Sequence, residues 1–269
     1  MTDPASLVDL ATYPIQDLDA PAARALVARC RAELAATGAA ELPGFVAPAG
    51  CSRMAKESDA LAGRGHFAET RATVYLGLPE KGLPDGHPRG RLGGRSAVEA
   101  IAYDLVPPSH ALRQLYEWDG LMAFVAAALG KERLHRYADP LGALNVAVMR
   151  AGDELQWHFD QTDFVVSIAL RDAERGGDFE YVPLVRRRDD ERYADVQRVL
   201  DGDRARVRRV PMTPGTLLLF EGRHSLHRVT PIEGDVARLV ALLAYDTKPD
   251  TVSTPLLRRA RYGRDVLAS

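Results

Sequence analysis

From Pro21 to Ala36 apolar residues recur three and four positions apart, which predicts an amphipathic helix with Asp19 as its cap and Pro21 in its first turn. Gly38 ends it, and Leu42-Pro43-Gly44-Phe45-Val46 leads into a short strand. A second amphipathic helix is expected over Ala49–Leu61. Val98–Tyr103 begins another helical region, and Ala111–Leu129 reads as one strongly periodic helix closed by Gly130. Between them, residues 64–98 are broken by Pro79, Gly82, Pro84, Gly86, Pro88 and Gly90 and form a long loop. Only Thr73–Leu76 is strand-like there, and His66 and His87 are expected to be solvated.

Beyond Asp139-Pro140-Leu141-Gly142 the period changes from helical to alternating. Leu144–Met149, Phe164–Leu170, Asp178–Val182, Thr216–Phe220, Leu226–Val229 and Arg238–Tyr245 are β-rich runs, with Gly176-Gly177 as a turn. Residues 186–209 interrupt them. Their Asp189–Leu200 part reads as a charged helix, either a lid or a solvated surface excursion. Strands following an α-rich first half predict an α+β fold, a double-stranded β-helix (jelly-roll) core with N-terminal supporting helices. A single domain is expected. Residues 1–139 would be helical support and loops, 140–246 the jelly-roll core and 247–269 a C-terminal extension.

Composition narrows the class. With 46% hydrophobic and 27% charged residues, the chain suits a globular enzyme and not a disordered protein. The net charge of −2 gives no basic field for nucleic acid or an anionic membrane. The arginine runs at 186–188 and 204–209 lie among or beside acidic residues, as on a solvated face. Cys30 and Cys51 are too few for a disulfide framework and fit reduced thiols in a cytoplasmic protein. The first residues show no basic stretch followed by an apolar run, so no secretion signal is expected. No apolar run is long enough to span a membrane.

The candidate chemistry centres on Gln156-Trp157-His158-Phe159-Asp160. Two residues apart on an extended segment, His158 and Asp160 point to the same side. One more imidazole would complete a two-histidine, one-carboxylate set, which leaves open positions on a metal and suits non-haem Fe(II). A lone His-x-Asp is weak evidence. Three further features strengthen it: the strand Gly176–Tyr181, the run Pro214–Gly222 that leads to His227-Arg228-Val229-Thr230-Pro231, and Arg238 eleven residues after His227.

With these motifs, residues 140–246 resemble the Fe(II)/2-oxoglutarate-dependent dioxygenase superfamily. The resemblance implies His158, Asp160 and His227 as iron ligands, Fe(II) as cofactor, and 2-oxoglutarate and O₂ as cosubstrates. His227 matches the pattern better than its rival His224, because His-Arg-Val-Thr-Pro precedes a glycine and an arginine. Arg238 would hold the far carboxylate of 2-oxoglutarate, for which its planar fork is suited. Asn145 and Ser167 would flank the keto-acid end, or merely satisfy local backbone groups. Trp157 is read as a core aromatic.

More narrowly, Trp-His-Phe-Asp followed by Gly-Gly-x-Phe-Glu-Tyr is similar to a branch of free-amino-acid hydroxylases and halogenases. Halogenases replace the carboxylate ligand with Gly or Ala; this chain keeps Asp160, which implies hydroxylation. Gln156, Gln161, Asp163, Glu180 and Arg223 are the candidate substrate residues, a mixture of carboxylates and guanidinium that suits a small zwitterion such as a free amino acid. The competing readings are a cupin-like zinc hydrolase or isomerase on the same ligands, an oxygenase acting on another small metabolite, and a barrel serving only as a binding scaffold.

Overall fold

A computed structural model describes residues 3–267, and every count below refers to those residues. Six helices and fifteen strands follow one another along the chain: α1 (Pro21–Thr37), β1 (Ala39–Leu42), α2 (Pro48–Asp59), β2 (His66–Thr70), β3 (Ser96–Ile101), α3 (Ala111–Glu117), α4 (Asp119–Ala128), β4 (His135–Arg136), β5 (Leu144–Met149), β6 (Leu155–His158), β7 (Val165–Arg171), β8 (Arg175–Gly176), β9 (Phe179–Val182), α5 (Tyr193–Leu200), β10 (Arg208–Val210), β11 (Leu217–Phe220), β12 (Leu226–Val229), β13 (Ile232–Glu233), β14 (Arg238–Leu243), β15 (Tyr245–Asp246) and α6 (Pro255–Tyr262).

Two antiparallel sheets make the jelly roll. The major sheet has the order β1-β11-β7-β14-β5-β3-β2 and the minor sheet β10-β9-β12-β6. Alternation along the major strands divides their side chains between two environments. Leu144, Val146 and Val148 of β5, Val166, Ile168 and Leu170 of β7, and Leu239, Ala241 and Leu243 of β14 pack with the helices in the main core. The intervening residues, Asn145, Ser167 and Arg238 among them, face the barrel interior.

Several elements differ from the sequence expectation. Ser96–Ile101 is a strand, not the start of a helix, because β2 and β5 flank it and pair with both its edges. The β2 strand lies in what reads as loop. Thr73–Leu76 is a turn in which Leu76 takes a φ of 59°. Ala111–Leu129 is two helices, broken at Trp118, whose ψ of 121° is extended. Ala20, not Asp19, caps α1, and it does so without a side-chain bond. The core also recruits strands from before residue 140, since β1, β2 and β3 all belong to the major sheet.

The insertion at 186–209 is packed down. Val196 and Val199 of α5 are buried with Trp157, Phe159, Val182 and Leu226 on the outer face of the minor sheet. Arg91 pairs with Asp201 and Arg89 Nε donates to Tyr193 Oη, so the 71–94 loop is tied to the same helix. This helix therefore covers the outside of the barrel, not its mouth. His87 rests against Tyr193, ring centroids 4.4 Å apart.

Candidate metal and cosubstrate site

His158 ends β6, and His227 on β12 is its cross-strand partner, so the two imidazoles stand side by side with centroids 4.2 Å apart. Just past β6, the Asp160 amide donates to Gly222 O at 3.0 Å, which turns the carboxylate back towards both rings. Asp160 Oδ2 lies 3.5 Å from His227 Nε2, and Oδ1 lies 4.0 Å from His158 Nε2. One ligand atom from each of the three side chains falls within 4.8 Å of the others.

The outer nitrogens fix the imidazole tautomers. His158 Nδ1 is 2.7 Å from Gln156 O, and His227 Nδ1 is 2.9 Å from Ser225 O. A carbonyl oxygen only accepts, so each Nδ1 carries a proton and each Nε2 points to the shared space. Burial, reinforced by the neighbouring His227, pulls His158 down to about 4, so it is neutral and able to ligate at neutral pH. Burial opposes ionisation of Asp160, but His227 and then His158 outweigh it and hold the carboxyl below its ordinary value. Two imidazoles, each with Nε2 turned inward, and one carboxylate around a common point fit a divalent metal of the iron type.

Arg238 supplies a second element of fit. It is 4% exposed in the barrel interior, and burial lowers its pKa to about 10, which leaves it charged at neutral pH. Among the described residues no carboxylate lies within ion-pair distance of it, and its hydrogen-bond contact is Nη1 to Met149 Sδ at 4.0 Å. A desolvated guanidinium without an anion is costly, so the site is shaped for an anionic guest. Asn145 and Ser167 are both cross-strand partners of Leu242 and form one polar row in the interior.

The remaining sequence candidates separate. Gln161, Asp163 and Arg223 line a cavity of about 260 Å³ beside the Asp160 turn, with Lys131, Tyr137, Phe164, Tyr245, Asp246 and Thr247. Arg223 Nε pairs with Asp163 Oδ1 at 2.6 Å. Gln156 donates from Nε2 to Glu154 at 2.7 Å and packs beneath Gly94. Glu180 is a correction. Its neighbours Phe179 and Tyr181 pack inward, so it points outward and pairs with Arg228 at 2.7 Å, away from the metal ligands. Trp157 also faces outward, into the α5 cluster. His224 is outside the ligand set, with Nδ1 4.0 Å from Glu221.

Sequence reasoning missed two residues. A Cβ at Gly222 would overlap the Asp160 carboxylate, so that glycine keeps the ligand's place open. Arg261 on α6 reaches Asn145 Oδ1 from Nη2 at 3.2 Å. The Pro214–Gly222 run carries a signal for the first; the second lies in the C-terminal extension, to which sequence reasoning gave no element.

Residues 95–258 match the sequence profile of the family described as Halogenase D. The chain belongs to the halogenase D family. A search of the curated proteins finds no match. Solved structures with the same fold include AviO1 from Streptomyces viridochromogenes Tue57, at 19% identity over 86% of this chain and 97% of that one, with a TM-score of 0.55. The α-ketoglutarate-dependent epimerase SnoN from nogalamycin biosynthesis is 17% identical over 83% of each chain, also at 0.55. An oxidoreductase of the 2OG-Fe(II) oxygenase family from Burkholderia pseudomallei is 17% identical over 82% of this chain and 91% of that one, at 0.51. Family and fold together set this halogenase D member among the Fe(II)/2-oxoglutarate-dependent oxygenases.

Proposed function

We propose that the chain is an Fe(II)/2-oxoglutarate-dependent hydroxylase acting on an unactivated C–H bond of a small amino-acid-like substrate, with succinate and CO₂ as the other products. The observation that carries this reading is Asp160, held between two imidazoles in a halogenase-named family. A carboxylate on the metal fills the position a halide needs, so oxygen insertion is the outcome it favours.

Bound iron, 2-oxoglutarate and O₂ supply the oxidising chemistry, and one oxygen atom of O₂ enters the substrate while the other enters succinate. The chain's own residues bind and orient. His158, Asp160 and His227 hold the metal, and Arg238 receives the distal carboxylate of 2-oxoglutarate as a charge-assisted pair. Ser167 offers a polar contact to its inner end, while the Asn145 oxygen accepts from Arg261. Phe220 and Phe179 lie 4.9 and 5.6 Å from the His227 ring, centroid to centroid, and keep that side of the site dry. A zinc hydrolase on the same ligands leaves the buried Arg238 without a task. The cavity lined by Gln161, Asp163 and Arg223 supports a small polar substrate, since it offers both signs of charge.

The test is succinate release by the Fe(II)-loaded protein given 2-oxoglutarate, O₂ and a panel of free amino acids and related metabolites, with product masses recorded. At least one amino-acid-like compound should stimulate release and gain one oxygen, with no chlorinated product when chloride is added. A chlorinated product overturns the hydroxylase assignment. Stimulation only by peptides, nucleotides or lipids overturns the substrate class.

A further inference from the structure

The C-terminal segment carries four arginines within seven residues, and three are neutralised. Arg258 pairs with Asp139, Arg259 with Asp265 and Arg264 with Asp104. Arg261 is the exception: among the described residues no carboxylate lies within ion-pair distance of it. A cation in the last turn of a helix can serve the helix carbonyls. Arg261 instead extends its Nη2 to the side-chain oxygen of Asn145, a buried residue of the barrel interior. The family match ends at Arg258, so nothing in it assigns Arg261 a role.

Two guanidinium groups thus reach the barrel at different depths. Arg238 stands opposite Met149 at one end of β5, and Arg261 meets Asn145 near the other. Four residues of strand separate Met149 from Asn145, a rise of roughly 13 Å. A 2-oxoglutarate held by Arg238 at its distal end gives its keto-acid end to the metal and does not need Arg261. With Arg238 committed to the cosubstrate, Arg261 is free for an anion on a second molecule.

We propose that Arg261 holds the carboxylate of the primary substrate and thereby selects acids over amines and amides. The inference rests on the oxygenase reading above. Asn145 aligns the guanidinium through its amide oxygen, and the remaining guanidinium N–H groups offer the planar fork that a carboxylate fits.

The test uses full-length protein loaded with Zn(II) and 2-oxoglutarate, so that substrate binds without turnover. Free amino acids, their C-terminal amides and the matching decarboxylated amines are titrated by calorimetry into wild type, Arg261→Leu and Arg261→Lys. 2-Oxoglutarate is titrated separately into the Zn(II) proteins, and melting temperatures without ligand check folding. At least one free amino acid should bind wild type while its amide and amine do not. Its affinity should fall on the order of 30-fold or more in Arg261→Leu, partly restored in Arg261→Lys, with 2-oxoglutarate affinity unchanged. The assignment is overturned if no carboxylate in the panel binds, if amide and acid bind alike, if Arg261→Leu binds the acid normally, or if that variant loses 2-oxoglutarate instead. A misfolded Arg261→Leu shifts the decision to Arg261→Lys, which must still weaken the acid selectively. Failure of wild type to take up 2-oxoglutarate in a Zn(II)-dependent way removes the oxygenase reading itself, a result separable from all of these.

Discussion

Gly222 shows how a metal ligand depends on an atom that is missing. Its φ is not positive, so backbone conformation does not require glycine there; space does, because a Cβ would overlap Asp160. Gly222→Ala should therefore fold normally yet lower metal affinity about 10–100-fold, as loss of a ligand's support does. Metal titration against an unchanged melting temperature reads this out. Arg238 makes the opposite trade. Its guanidinium is buried without an anion, so Arg238→Met should leave the metal-free protein as stable or more stable. The same variant should weaken 2-oxoglutarate binding by about 2–5 kcal/mol, since the guest's carboxylate then lies buried alone. A variant that loses stability but keeps cosubstrate affinity would place the anchor elsewhere. Between the two late histidines, His227→Ala should abolish turnover while His224→Ala retains it. The reverse result would reassign the third ligand.

At the scale of elements, what could be read was what local alternation alone decides. Leu226–Val229 coincides with β12, and Leu144–Met149 coincides with β5. Both carry branched or large apolar residues at the right period, and so the spacing of His158, Asp160 and His227 was readable too. What could not be read depends on partners distant in sequence. β3 is Ser-Ala-Val-Glu-Ala-Ile, rich in helix formers, and becomes a strand only because two neighbours claim its edges. Its Glu99, 3% exposed, accepts from the Gly63 and Gly65 amides and pairs with Arg150, so a helix-favouring residue ends as a fastener between sheet and loop. Arg261 was hidden for a similar reason, because α6 brings it to Asn145 only once β2 and β3 give the helix a surface. The fate of the 186–209 insertion follows the same logic. A charged helix between strands suggests a lid, yet two buried valines pin α5 to the outer face of the minor sheet. Hydrogen exchange over residues 193–200 should therefore be the same with and without Zn(II) and 2-oxoglutarate. Strong protection appearing only with ligands would restore the lid.

For the molecule as a whole, the helical layer pressed on the major sheet sets how the protein responds to alkali. Cys30 on α1 is fully buried in that layer, and burial pushes its thiol up to about 11 from an ordinary 9.0. Cys51 on α2 is raised by burial as well, with Sγ 3.3 Å from Leu170 O. Burial also raises Tyr116 and Tyr245, which lie against each other under α3. Each of these groups is neutral when protonated, so the folded chain keeps protons that the unfolded chain gives up. Stability must then fall as pH rises, beginning near the unfolded thiol value of 9.0 and steepening above 10 as the unfolded tyrosines ionise. Chemical denaturation of the metal-free protein from pH 8 to 10.5 should show that decline, and Cys30→Ala should flatten its lower part even though the variant starts less stable. Neither thiol should react with a disulfide reagent at pH 8 while the protein is folded, because the thiolate is scarce and the sulfur enclosed. Rapid modification of either cysteine in the native state, or a stability that holds level to pH 10.5, would show that the helices are not clamped to the sheet as the packing of α1 and α2 requires.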